Sequence, residues 1–141
     1  MQRHEWEHAQ SPTERDRASY VRECFAAAEG QTEFLDGDTE IVPGVRVEVA
    51  PGHTKNMQCV RVESDGNMAL FPSDLVPTSA HIAYPWMTSF DLYPLETLEN
   101  KKRLLPELAA AKGLLVFPHD PCVPWVRLIE VGGKIVAQPV E

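Results

Sequence analysis

Valines alternate with charged residues from Val45 to Val49, and this pattern constrains the fold more than any other stretch of the chain. A period of two places one side of a strand against a core and leaves the other side polar. Further strand patterns occupy 32–35, 40–42, 57–63 and 67–71. Asp65-Gly66, between the last two of these, is a strong hairpin signal. The sequence therefore predicts an antiparallel sheet with at least one covered face.

Two helical patterns flank these strands. Ser11 and Glu14 form a capping-box pattern around Pro12, which predicts a helix from about 12 to 28. A second helix is predicted to begin near Pro94 and to end before Gly113. Its predicted inward face carries Leu95, Leu98, Leu105 and Leu108.

Local features of this second helix lead to two more predictions. Pro106 lacks an amide hydrogen and is expected to kink or restart the helix. Glu99 is expected to pair with Arg103 one turn later. A strand at 114–117 and a hairpin around Gly132-Gly133 complete the chain. The predicted fold class is a layered α/β or α+β fold, with helices on one face of a mostly antiparallel sheet.

Composition limits the classes of protein to which this chain can belong. Its 141 residues suit one structural unit, with an N-terminal helical segment at 1–30 and a main part at 31–141. The net charge of −8 disfavours a nucleic-acid partner, and no apolar run approaches the ~18 residues of a membrane span. Cys24, Cys59 and Cys122 are odd in number and lack a Cys-x-x-Cys spacing, which favours a reducing cytoplasm and buried thiols.

Metal-capable side chains follow three separate apolar runs. His53 comes after the alternating valines, Asp74 after the strand pattern at 67–71, and His119 after the pattern at 114–117. Loops at strand ends are where a rigid sheet presents functional groups. The sequence thus predicts a site gathered from distant loops.

The residues around these three positions resemble the second half of the metallo-β-lactamase fold family. The segment 38–45 leads into Pro51-Gly52-His53-Thr54, Ser73-Asp74 takes the place of the Gly-Asp of that family, and 117–120 resembles its last metal-binding loop. The resemblance covers about residue 33 to the end of the chain. It points to the lactonase-like branch of small-molecule hydrolases.

The resemblance implies an αββα sandwich with a two-metal site, usually zinc, with iron or manganese also known as occupants of such donor sets. His53 would bind one metal, His119 the other, and Asp74 would bridge the two. In a complete enzyme, a metal-bound hydroxide would attack an ester, lactone or thioester carbonyl.

One departure from the family changes this expectation. The family motif His-x-His-x-Asp-His is absent from this chain, and so is a further histidine. We therefore expect a C-terminal half that alone binds metal weakly, and a companion chain or self-association that covers the open sheet. The apolar residues expected to be left bare are Val45, Val47, Val49, Val60, Val62, Met68 and Leu70. The alternative is a non-catalytic structural or binding subunit.

A second metal motif lies near the start of the chain. His4, Glu5 and His8 match the His-Glu-x-x-His pattern of zincin proteases, in which two histidines one helical turn apart bind zinc. No third ligand stands at a suitable spacing. The simpler interpretation is a solvated N-terminal turn with Trp6 as a packing anchor.

Several other residues are candidates with weaker support. Tyr20, His81 and Trp86 are possible walls of a substrate pocket, and Tyr20 is also a possible donor to a developing oxyanion. The alternatives are helix packing for Tyr20, a surface position for His81 and loop anchoring for Trp86. Asp120 is expected to be a turn residue or a partner that orients an imidazole.

Overall fold

The computed structural model describes residues 1–140 and contains one sheet, three α-helices and short 3-10 turns. The helices are α1 (Arg3–Gln10), α2 (Arg22–Phe25) and α3 (Pro94–Ala110). The strands are β1 (Thr39–Val42), β2 (Val45–Val49), β3 (Gln58–Ser64), β4 (Asn67–Phe71), β5 (Leu114–Val116), β6 (Trp125–Val131) and β7 (Lys134–Gln138). The 3-10 turns are Ala26–Gln31, Ser73–Leu75 and Ser79–His81.

The seven strands lie side by side in the order of the sequence. Every pair of neighbours is antiparallel except β4 and β5, which are parallel and are connected through α3 and the long loop before it, residues 72–93. A parallel pair needs such a crossover, whereas antiparallel neighbours need only a short turn. The predicted layered α/β class, with a mostly antiparallel sheet, is confirmed.

The core lies between α3 and one face of the sheet. Leu104, Leu105 and Leu108 of α3 are fully buried against this face, as are Leu70, Leu115 and Leu128 of the strands. Each buried leucine contributes about 1.5–3 kcal/mol relative to an exposed one. This apolar contact holds α3 along its length, so the helix continues through Pro106 without the predicted restart.

Two predictions about α3 are wrong, one about its buried face and one about an ion pair. Leu95 is 76% exposed, whereas Lys101 is fully buried. Glu99 pairs with Lys102 and not with Arg103, because the Arg103 guanidinium turns instead towards the sheet and donates to the Val49 carbonyl.

Within residues 1–140, no helix packs along the opposite face of the sheet. Successive side chains of a strand point to opposite faces, and the exposed apolar residues here are Val62, Phe71, Trp125, Val131 and Val136. The predicted set was partly wrong, because β4 directs Met68 and Leu70 towards α3 and places Phe71 on the open face, while Val47 is only 5% exposed. Exposed apolar side chains therefore occur on this face in β3, β4, β6 and β7.

The N-terminal segment differs from its prediction. No continuous helix spans 12–28: α1 precedes this range and ends at Gln10, and within the range only α2 and the start of the 3-10 turn at Ala26–Gln31 are helical. The strand expected at 32–35 is reduced to one bridge between Gln2 and Leu35. The burial of Trp6 explains the change, since its ring packs edge-on against Phe25 and Phe34 at 5.3 and 5.4 Å. The predicted anchoring role of Trp6 is thus confirmed, although on a helix and not on a turn.

The cysteines and the apolar segments give two further findings. Cys59 is buried, but Cys24 and Cys122 are exposed free thiols, so the prediction of burial was wrong for those two. Among residues 1–140, no helix has both the length and the apolar character needed to cross a membrane.

Candidate functional site

His53, Asp74 and His119 come together at one edge of the sheet. They follow β2, β4 and β5, and these three strands run in the same direction, because β2 and β4 are both antiparallel to β3 and β5 is parallel to β4. Their carboxyl ends therefore meet at the same edge. The Nε2 atom of His53 lies 3.8 Å from Oδ2 of Asp74, and the Nε2 atom of His119 lies 3.0 Å from Oδ1.

The carboxylate of Asp74 thus presents a different oxygen to each imidazole. Imidazole nitrogens and a carboxylate are the donors that zinc prefers in proteins, so the chemistry of the three side chains fits a zinc-type centre. Their number fits only half of a two-metal centre. Within residues 1–140, no group of three or more His, Cys, Asp and Glu side chains has an arrangement that can hold a metal ion.

The backbone at Ser73 explains how Asp74 is aimed. Ser73 has a φ of 50°, in the left-handed region that glycine adopts at little cost and other residues disfavour. Its hydroxyl donates to the Gln58 carbonyl at 2.7 Å, which holds the turn against β3. The side-chain hydrogen bond of Ser73 therefore offsets part of the cost of a backbone conformation that glycine would adopt freely.

Asp91 is a site residue that the sequence did not reveal. Its side chain is 1% exposed, and its Oδ1 atom lies 3.1 Å from Nδ1 of His53. This hydrogen bond raises the pKa of His53, against the opposing effect of burial. Burial works to raise the pKa of Asp91, but hydrogen bonds from His53, Thr88 and Thr97 outweigh it and lower the pKa. No local pattern marks an aspartate near the end of a long loop as a partner of a distant histidine.

Backbone contacts fix the loop that carries His53. The amide of Tyr93 donates to the Gly52 carbonyl at 2.8 Å, and the amide of Leu92 donates to the His53 carbonyl at 3.2 Å. A Cβ on Gly52 would lie 2.3 Å from Oγ1 of Thr97 and 2.8 Å from its Cα, so only glycine allows this approach. The His53 loop and the start of α3 form one packed unit.

The N-terminal helix contacts the same loop through Glu5. One oxygen of its carboxylate accepts from the Tyr20 hydroxyl at 2.5 Å, and the other accepts from Oγ1 of Thr54 at 3.0 Å and from the amide of Asn56 at 3.2 Å. Burial and the bond to Glu5 raise the pKa of Tyr20 far above its ordinary value. Tyr20 thus lines the site while its hydroxyl hydrogen bonds to Glu5.

The zincin alternative is not supported by the geometry of α1. His4 faces Glu7 at 3.0 Å on the exposed surface, and His8 faces Asp16 at 2.5 Å. Each imidazole therefore has a carboxylate partner of its own, and Glu5 points towards the His53 loop. The segment is a helix and not the solvated turn that the sequence predicted.

A cavity of about 270 Å³ opens beside the three donors. The lining includes the three donors, His53, Asp74 and His119, and also Arg15, Tyr20, Phe90 and Leu92. His81 and Trp86, predicted as pocket residues, lie outside this lining. The His81 imidazole hydrogen bonds to Thr78 at 2.7 Å, and the Trp86 side chain is 63% exposed. The cavity can admit a small molecule whose reacting group reaches the donors.

Asp120 organises the loop next to His119. Its carboxylate accepts from the amide and hydroxyl of Ser79 at 2.9 and 2.6 Å, and from the amides of Cys122 and Val123. These bonds hold its pKa well below the usual range. Asp120 is therefore a turn residue that ties two loops together, and its partners are not imidazoles.

Comparison with known proteins gives one curated relative. No protein-family model matches the chain. An N-acyl homoserine lactonase of Bacillus cereus is 28% identical over 126 residues, which is 85% of this chain and 46% of that protein. The chain thus spans about half the length of the relative that it matches.

Solved structures give the same picture of a half-length match. A probable metal-dependent hydrolase from Staphylococcus aureus superposes with a TM-score of 0.90 at 26% identity, over 99% of this chain and 51% of that protein. An N-acyl homoserine lactone hydrolase, with its product bound at the catalytic metal centre, gives a TM-score of 0.68 at 25% identity, over 96% of this chain and 51% of that one. A dizinc quorum-quenching lactonase matches in fold, with a TM-score of 0.72 at 19% identity, over 94% of this chain and 46% of its own.

Proposed function

We propose, from the premise that this chain belongs to the metallo-β-lactamase fold family, that it supplies the C-terminal half of a metal-dependent hydrolase of small molecules. The observation that carries the proposal is the convergence of two imidazoles on the two oxygens of one carboxylate, at the carboxyl ends of three strands. The half-length match to metal-dependent hydrolases and lactonases supports it.

The residues that would hold metal are His53, Asp74 and His119. Zinc is the proposed occupant, with iron or manganese as alternatives, because imidazole and carboxylate ligands suit all three. When bound, such a metal supplies a Lewis acid that polarises a carbonyl and lowers the pKa of water. Asp74 serves both sides of the site, so it is the residue whose loss should be most damaging.

The cavity suggests how this half would position a substrate. Phe90 and Leu92 supply apolar wall, and Arg15 supplies a cation to the lining. An apolar wall orients an acyl or alkyl group, and a cation suits the carboxylate that hydrolysis of an ester or lactone produces. We propose an ester, lactone or thioester as the substrate class, with a lactone favoured by the curated relative.

The open face of the sheet supports a companion for this half. Val62, Phe71 and Trp125 are 43%, 40% and 48% exposed on this same face. Soluble monomers rarely leave large contiguous apolar patches uncovered, and such patches commonly mark interaction surfaces. We propose that a second polypeptide segment with its own metal ligands covers this face and completes the site; self-association of the chain is the competing arrangement.

The test is metal content together with oligomeric state. The purified chain is dialysed against zinc and measured by inductively coupled plasma mass spectrometry and light scattering, beside the Asp74→Ala variant. The expected result is less than one tightly held zinc per monomer, with the weak binding reduced in Asp74→Ala. Two tightly held zinc ions on an isolated monomer would show that the chain is a complete site and would overturn the half-site proposal.

The second candidate function is a structural or binding subunit without catalysis. It is favoured by one observation, the shortage of metal ligands among the described residues. Pairing the chain with its companion discriminates the two functions. A gain of tight zinc binding and of lactone or ester hydrolysis supports the hydrolase, whereas pairing without either supports the subunit.

A further inference from the structure

Asp91 is a buried carboxylate in the long loop whose described partners are all donors. Its Oδ1 atom accepts from Thr88 at 2.7 Å and faces Nδ1 of His53 at 3.1 Å, and its Oδ2 atom accepts from Thr97 at 3.0 Å. Its side chain is only 1% exposed. Burying an unpaired charge is very unfavourable. Hydrogen bonds from these donors offset that cost and so keep the carboxylate ionised.

The acceptor character of Asp91 decides which nitrogen of His53 carries the proton. An ionised carboxylate has no hydrogen to donate, so the Nδ1 atom of His53 must be the donor. In the neutral ring, the Nε2 atom is then left with its lone pair. That lone pair lies on the side of the ring that faces Asp74, 3.8 Å away.

We propose that Asp91 is a positioning residue that fixes the Nδ1-protonated tautomer and the orientation of His53, so that Nε2 is presented as a ligand. The purpose of this arrangement, presenting Nε2 as a metal ligand, rests on the proposed metal site. The arrangement itself belongs to the metal-free chain and can be measured there.

Surrounding contacts hold Asp91 in this place. The amide of Leu92, the next residue, donates to the carbonyl of His53. The loop therefore holds His53 through its backbone at Leu92 and through the side chain of Asp91. Earlier in the loop, the carbonyls of Ala83 and Trp86 accept from the ammonium group of Lys101, which lies on α3. Asp91 is therefore fixed from α3 and from its own loop, as an orienting group must be.

A purely structural role for Asp91 is the competing explanation. Asn100 offers a matched control, because its amide donates from α3 to the Pro51 carbonyl at 2.7 Å and so ties α3 to the His53 loop. It has no contact with the imidazole among the hydrogen bonds of the described residues. Loss of either side chain loosens the same junction, but only Asp91 should affect the tautomer.

The test is long-range nitrogen NMR of the histidine rings in the metal-free chain, at an alkaline pH above which the His53 signals no longer change, so that the ring is neutral. The His53 signals are assigned by their loss in His53→Gln. We expect wild type and Asn100→Ala to show a His53 ring with more than about nine-tenths Nδ1 protonation, since a tenfold preference needs only about 1.4 kcal/mol. In Asp91→Ala the Nε2-protonated form, which predominates in free histidine, should become the major species.

The nearly isosteric Asp91→Asn keeps the experiment decisive if Asp91→Ala does not fold. Its uncharged amide should lower the Nδ1-protonated fraction measurably. An unchanged His53 tautomer in the folded Asp91 variants would overturn the proposal, as would an equal loss in Asn100→Ala. Zinc binding is then titrated separately, so that a chain with the expected tautomer but no metal affinity would refute the proposed function and leave the role of Asp91 standing.

Discussion

The ammonium group of Lys101, on the buried side of α3, lies 2.8 Å from the carbonyl oxygen of Trp86. A second bond, of 2.7 Å, reaches the carbonyl of Ala83. The lysine is fully buried, yet it fastens to the core a loop whose tryptophan side chain is exposed. The same loop continues to Phe90 and Leu92, which line the cavity of the candidate site. The hydrogen bonds of Lys101 therefore help to hold the loop that forms part of this cavity.

Replacing Lys101 with methionine should destabilise the chain. Hydrogen bonds to a charged donor contribute about 1.5–3 kcal/mol, and methionine recovers part of this by apolar burial, so a net loss of about 1–3 kcal/mol is expected. Urea unfolding measures it. Lys102→Met is the control, since Lys102 is exposed and pairs only with Glu99 on the surface, and it should change stability by no more than about 0.5 kcal/mol. Equal effects of the two variants would contradict the anchoring role.

Lys101 should also make stability depend on alkaline pH. Burial lowers its pKa to about 8, against the opposing pull of the Asp91 carboxylate. An unfolded lysine titrates near pH ~10.4, so between these values the unfolded chain binds the proton more tightly than the folded chain. Unfolding then becomes less favourable as pH rises through this window. The free energy of unfolding of wild type relative to Lys101→Met should increase from pH 8 towards pH 10, and a constant difference would refute the expectation.

Gly52→Ala should strain the junction between the His53 loop and α3. The new Cβ would lie within 2.8 Å of the Thr97 backbone, which cannot move without shifting the start of the helix. Overpacking of this kind typically reduces stability by about 1–3 kcal/mol. Thermal unfolding measures the loss. Gly30→Ala is the control, because its Cβ meets open space, and a comparable loss there would show that close approach is not the cause.

Of two substitutions at Ser73, Ser73→Ala should reduce thermal stability more than Ser73→Gly. Alanine loses the bond to the Gln58 carbonyl and keeps the left-handed backbone, whereas glycine loses the bond but relieves a backbone cost of about 1 kcal/mol. We therefore expect Ser73→Ala to melt at a lower temperature than Ser73→Gly. Ser11, at a φ of −146°, supplies the comparison. There the alanine variant should be at least as stable as the glycine variant.

Charging the open face should abolish its binding properties without unfolding the sheet. We expect the wild-type chain to bind a dye that reports exposed apolar surface, or to self-associate, and the double variant Phe71→Lys with Trp125→Lys to do neither. Leu95→Lys is the control, because Leu95 is exposed alone on α3. Dye fluorescence and light scattering measure both properties. A monodisperse wild-type chain that binds no dye would contradict the proposed interaction surface.

Sequence patterns predicted the central strands well, because the alternation of Val45, Val47 and Val49 and the turn at Asp65-Gly66 act over a few residues. The N-terminal segment was predicted poorly. The capping pattern at Ser11 favours a helix after it, but the helix forms before it, because Trp6 is buried there against two distant phenylalanines. That gain in apolar contact depends on tertiary structure, which no local propensity contains.

The site was predictable to the extent that strand direction determines it. The positions of His53, Asp74 and His119 just after strands were enough to place them at one edge once the sheet order was known. Asp91 was not predictable, because its partner is a histidine that only the folded loop brings near. The burial of Lys101 was likewise hidden, since a lysine between leucines on a helix is ordinarily a surface residue.

The single parallel pairing, β4 with β5, has a consequence for the order in which the molecule assembles. All other strand pairs close through short connections, whereas this one must wait for the long loop and α3 to be placed. Closing a long connection costs more chain entropy and is slow. His53 and Asp74 lie before this crossover and His119 lies after it, so the contact of His119 with Asp74 requires the crossover to be closed. We therefore expect a probe at His119 to report the closing of the crossover, the step that joins the two parts of the site.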